Sequence, residues 1–153
     1  MHEILTEIRQ SAPSKFETIW AHVPFVGKVI EMLMYKSRFN EYVLRINRTL
    51  NVRLEEDIIS SWRQVGHDYE IAKKLMNISQ SWMGWPKPFF LPSDPVAVVF
   101  WAYDDDLDAD DAKLEIEETF KIVFSDDDII KSVDLDFGDF VEMIESKTKT
   151  NNY

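Results

Sequence analysis

Asp106-Leu107-Asp108-Ala109-Asp110-Asp111-Ala112-Lys113-Leu114-Glu115-Ile116-Glu117-Glu118-Thr119-Phe120-Lys121-Ile122 is the stretch on which the reading of this chain turns. Ala112, Ile116 and Phe120 recur at i, i+4 and i+8, which puts an apolar stripe along one side of a helix and leaves the other sides charged. Asp108 reads as a cap for that helix, with Asp111 as its partner. Val123-Phe124-Ser125-Asp126-Asp127-Asp128-Ile129-Ile130-Lys131 then leaves the first helix and opens a short second one at an acidic cap. Phe137-Gly138-Asp139-Phe140-Val141-Glu142-Met143-Ile144 forms a last amphipathic helix.

Working upstream, helical periodicity continues to dominate. Residues 96–103 are apolar all round, as in a short buried helix, and Ser93-Asp94-Pro95 reads as its N-cap with proline in the first turn. Residues 83–92 hold three prolines and a glycine, so no helix survives there; their rings (Trp85, Phe89, Phe90) are expected to pin the loop to the core. Residues 55–76 are helical in pattern, with Gly66 as a point of interruption. Residues 39–50 carry Tyr42, Val43, Ile46 and Leu50, and Asn51 offers a stop. Residues 26–34 keep the same period. Ser14 and Glu17 form a capping box ahead of Phe16, Ile19 and Trp20, and residues 2–10 read as a short helix. No run alternates cleanly over five residues, and Asn-Gly and Asp-Gly hairpin turns are absent. The expected fold class is all-α.

The segment from Ile116 onward resembles the C-terminal half of an acyl carrier protein. In that family a helix ending in Leu/Ile-Glu-Glu-x-Phe leads to Ile-Pro-Asp-Glu-Glu, and a final helix reads Val-Gly-Asp-Leu-Val-Asp-Tyr-Ile. Residues 116–120, 124–128 and 137–144 fall onto these patterns in order. Residues 42–56 look like the family's first helix and its Leu-Gly-Val-x-x-Glu-Glu exit. The resemblance implies one domain over residues 1–153, a small helical bundle with a carrier-like part formed by residues 38–57 and 104–145. Residues 58–103 would be an enlarged first loop with inserted helices, residues 1–37 an N-terminal helical extension, and residues 146–153 a frayed tail. The family attaches its phosphopantetheine arm to the serine of an Asp-Ser-Leu triplet. Counting back from Phe120, that triplet falls on Asp105-Asp106-Leu107, so Asp106 stands in the serine slot. A carboxylate cannot form the usual hydroxyl phosphodiester, and no cofactor is expected.

Charge sharpens the expectation. The 153 residues carry a net charge of −11, and almost all of it lies in residues 104–145, where 17 acidic residues face three lysines. So acidic a chain repels nucleic acid phosphates and anionic lipid, and its longest apolar run, residues 96–103, is too short to span a bilayer. With no cysteine and no basic-then-apolar leader at the start, a cytoplasmic location is expected. The clustered carboxylates are either a solvated face with helix caps or an anionic docking surface for a basic protein. On the second reading the partner-binding residues are Asp104, Asp105, Asp106, Asp108, Asp110, Asp111, Glu115 and Glu118. That reading makes the chain non-catalytic and suits an immunity- or antitoxin-type inhibitor of a basic effector such as a nuclease. A carrier-like subunit of a biosynthetic pathway is the alternative.

Other chemistries compete less well. Asp104, Asp106, Asp108, Asp110 and Glu115 stand at positions 1, 3, 5, 7 and 12 of a calcium-loop series, but Ala109 replaces the glycine of position 6. His67 and Glu70 fall three apart, as on one helix face, a pairing more often structural than catalytic. Trp62, Trp82, Trp85 and Trp101 are expected in the core. Four glycines leave little room for a phosphate loop. The sequence does not set the oligomeric state.

Overall fold

The structure, a computed structural model, describes residues 25–100 and 106–150, with side chains over residues 39–100 and 110–150. It is all-α, with seven helices and no strand among the described residues. The readings of residues 2–10 and of the Ser14 capping box lie outside the described residues, as do Trp101, Asp104 and Asp105.

Helix α1 (Phe25–Val52) is continuous and buries Tyr42, Ile46 and Leu50, the stripe its periodicity calls for. It passes through Asn51 instead of stopping there. α2 (Glu55–Val65) ends where expected, at Gly66, whose φ of 76° is the left-handed conformation glycine adopts without strain. The Asp68 carboxylate then accepts from the backbone N–H groups of Glu70 and Ile71 and starts α3 (Tyr69–Met83). His67 therefore sits in the connection and not on a helix beside Glu70. Its ring meets the Trp62 indole at 6.3 Å, and Glu70 is exposed.

The proline-rich loop is held as its aromatics predict. Trp85 and Phe90 are buried, the Trp85 indole N–H donates to the Val99 carbonyl at 3.0 Å, and the Trp62 indole donates to the Phe90 carbonyl at 2.9 Å. The buried helix that follows, α4 (Val96–Val99), is shorter than its sequence pattern and closes at Phe100. Its N-cap position falls to Pro95 with no side-chain bond, because Asp94 is occupied elsewhere. α5 (Asp106–Phe120) already includes Asp108 in its first turn, so Asp108 is not its cap. α5 ends in a Schellman-type turn: Lys121 has φ 53°, and the Ile122 N–H donates to the Glu117 carbonyl at 3.1 Å. Ser125 and Asp128 form a reciprocal capping box that opens α6 (Asp126–Ser132). α7 (Phe137–Thr150) runs past the expected end. Residues 146–150 are helix and not frayed tail, and Lys147 reaches back to Asp128 at 2.7 Å.

The core is continuous from α1 to α7. α3 lies at its centre, packed against α2, α5 and α7. Lys74 lies over the Phe120 ring and the Trp82 indole N–H donates to the Glu115 carboxylate, so α3 and α5 run antiparallel. Phe137 is the aromatic hub, edge-on to Trp62 at 5.3 Å, Phe90 at 6.2 Å and Phe100 at 6.3 Å. The next residue needs to be small. A Cβ on Gly138 would stand 3.1 Å from the Pro92 carbonyl oxygen and 3.2 Å from the His67 ring.

Candidate functional site

α5 turns its apolar stripe inward, with Ala112, Ile116 and Phe120 all buried. The same 3.6-residue period sends Asp110, Leu114 and Glu118 outward one above another, with Asp111 beside them. Asp110, Asp111 and Glu118 are exposed, and Leu114, 54 % exposed, is an apolar residue set among the carboxylates. Ion pairs join Arg53 with Asp94, Lys147 with Asp128 and Lys149 with Glu145. None of them neutralises this face. Of the other expected partner-binding residues, Glu115 is half-buried and bound to the Trp82 indole, which gives it a place in the core's rim. Asp106 and Asp108 lie on the first turn of α5. Asp104 and Asp105 lie outside the described residues.

The second acidic cluster divides between two roles. Asp128 is structural: its carboxylate accepts from Lys147 Nζ at 2.7 Å, and from the Ser125 backbone N–H and hydroxyl. The Lys147 and Ser125 hydrogen bonds stabilise the ionised form and lower its pKa to about 2. Asp126 and Asp127 are exposed in the first turn of α6, where they complement the helix dipole. The cap of α6 is thus the serine, and the aspartates support it. Glu117 also faces inward to the backbone, accepting from the Phe124 N–H at 2.7 Å.

The calcium-loop series meets a different geometry. Asp106, Asp108, Asp110 and Glu115 lie along one continuous helix, so their backbone cannot wrap around a cation as a calcium loop does. The described residues hold no group of three or more His, Asp or Glu placed to share a metal ion.

Sequence reasoning missed the strongest electrostatic feature of the interior. Arg53 and Asp94, each 1 % exposed, form a bidentate pair 41 residues apart. Arg53 Nη2 donates to Asp94 Oδ1 at 2.9 Å, and Nη1 donates both to Asp94 Oδ2 and to the Phe89 carbonyl, the latter at 2.8 Å. Asp94 Oδ2 also accepts from the Leu91 N–H at 2.6 Å, and the Asp94 carbonyl accepts from the Phe137 N–H at 2.8 Å. One ion pair therefore ties the end of α1 to the proline-rich loop and the start of α7. Arg53 Nε is buried without a hydrogen-bond partner, an unsatisfied donor that such a network rarely tolerates.

No helix among the described residues is long and apolar enough to cross a membrane. What fold and site define together is a small helical bundle with one carboxylate-rich outer helix. Comparison with protein-family models, curated proteins and solved structures finds no match to this chain.

Proposed function

We propose that this chain is a non-catalytic, acidic protein-binding module that grips a basic partner through the outer face of α5. The observation that carries the reading is the exposed face of Asp110, Asp111, Leu114 and Glu118, which lies apart from the Arg53–Asp94, Lys147–Asp128 and Lys149–Glu145 ion pairs. Clustered like charge of this kind raises the free energy of the isolated fold and is relieved when an oppositely charged surface arrives. Leu114 supplies a desolvated anchor inside the carboxylate ring, and the charges supply fast capture. An immunity- or antitoxin-type inhibitor of a basic effector such as a nuclease, working in the cytoplasm, fits this surface. The net charge of −11 argues against nucleic acid as the partner.

The test is affinity capture from lysate at about 50 and 500 mM salt, followed by identification of what is retained. The bait is either the native chain or the triple variant Asp110→Asn, Asp111→Asn, Glu118→Gln. A basic protein held at low salt, and released both by salt and by the triple variant, supports the reading. Retention indifferent to both overturns it.

A second reading keeps the resemblance to carrier proteins. It draws on the succession of α5, α6 and α7 over the segment that resembles that family. Incubation with a phosphopantetheinyl transferase and coenzyme A separates the two. An added arm mass on the intact chain favours a true carrier, and an unchanged mass, as Asp106 in the serine slot implies, leaves the arm-free module.

A further inference from the structure

Charge is segregated along this chain, and much of the basic share lies on α1. Residues 25–52 carry five Lys or Arg against two Glu, whereas residues 104–145 hold 17 acidic residues and three lysines. On the side of α1 away from its buried stripe of Tyr42, Ile46 and Leu50, the exposed residues Leu44, Arg48 and Val52 stand at i, i+4 and i+8, with the exposed Arg45 beside them. Leu44 is 53 % and Val52 69 % exposed, and Glu41 is the one acid in residues 39–52. This face is the counterpart of the outer face of α5. It sets one arginine between two aliphatic side chains over about 12 Å of helix; α5 sets one leucine between two carboxylates over the same length.

We propose that a second copy of this chain docks here, the α5 face of one molecule lying along the α1 face of the next. Set one turn out of step, Leu44 or Val52 covers Leu114 while the Arg48 guanidinium meets the carboxylate of Asp110 or Glu118, and Arg45 brings a second cation to the same carboxylate face. Both faces are exposed on the molecule that carries them, so they meet between molecules and not within one. Two copies of net charge −11 repel at long range, but at about 0.15 M salt charges more than about 8 Å apart are largely screened, and the pairs in contact decide. The contact is head-to-tail, so each added molecule presents the next face and association continues into a ring or a chain. The inference rests on the reading of the α5 face as a docking surface and names this chain itself as a partner for it.

Sedimentation equilibrium of the full-length chain, from about 10 µM to about 1 mM, tests it. In about 100 mM salt the weight-average mass should rise with concentration, with a Kd on the order of 100 µM, and the association should weaken at least about fivefold in about 500 mM salt. The double variant Arg45→Glu, Arg48→Glu and, separately, the triple variant Asp110→Asn, Asp111→Asn, Glu118→Gln should each stay at the 18.0 kDa of the single chain, with native helix content by circular dichroism. Mixed, the two variants keep one intact face apiece, and α5 of the first should pair with α1 of the second in a closed dimer that goes no further. A native chain that remains monomeric at about 1 mM, association that survives either set of substitutions, or a mixture that gives no dimer overturns the inference. Capture of a basic protein from lysate is read in a different assay, so the two readings of the α5 face fail separately.

Discussion

Replacing Asp94 by alanine removes a carboxylate that accepts from both Arg53 Nη groups and from the Leu91 N–H. The guanidinium, 1 % exposed, is then left with the Phe89 carbonyl as its remaining described partner. Stranding one member of a buried pair costs about 3–5 kcal/mol, and the orphaned Leu91 N–H adds about 1 kcal/mol. A domain of this length holds about 8–15 kcal/mol in total, so Asp94→Ala should consume a third or more of it. The midpoint of thermal unfolding should fall by about 10–20 °C. Urea unfolding followed by tryptophan fluorescence measures the loss, since Trp62 and Trp85 sit in the same core. The double variant Arg53→Met, Asp94→Leu separates charge from packing: with no stranded ion, it should regain most of what Asp94→Ala loses. An Asp94→Ala protein within about 1 kcal/mol of the native chain, or a double variant no better than the single one, would refute the view that the pair is desolvated and mutually dependent.

Two further outcomes follow from local geometry. Lys121→Gly should stabilise the fold by about 0.5–1 kcal/mol in chemical unfolding, because glycine adopts the φ of 53° at the end of α5 without the Cβ penalty lysine bears. Asp128 has a lowered pKa, about 2 against an ordinary 3.8, so its contribution is complete above pH 3.8 and disappears as the pH falls towards 2. The full shift would correspond to roughly 2 kcal/mol; solvent screening of this partly exposed pair reduces it to about 1 kcal/mol. Lys147→Met should therefore cost about 1 kcal/mol at pH 7 and nothing near pH 2, read from unfolding curves across that range.

The backbone plan was legible because it is written locally. Gly66 breaks the 55–76 pattern where α2 and α3 part, and Ala112, Ile116 and Phe120 are buried at the period that announces them. The loop aromatics Trp85 and Phe90 are interior, as rings of that size demand. What escaped is what tertiary structure decides. Ser93-Asp94-Pro95 carries a strong helix-start signal, but the Asp94 carboxylate is drawn away by a guanidinium 41 residues upstream, and no local pattern encodes that distance. Glu115 looked like one more surface carboxylate, yet the antiparallel packing of α3 sets the Trp82 indole against it. Asp108 and the tail erred by a turn, since helix ends respond to neighbours such as the Lys147–Asp128 contact more than to their own residues.

The Arg53–Asp94 pair also governs how the chain can be divided. A fragment ending before residue 94 retains the cation without its counterion, and one ending before residue 137 leaves the Asp94 carbonyl without the amide of Phe137. The two halves are thus obligate companions, and splitting the protein to find a minimal autonomous unit would discard the closure that makes the whole cooperative.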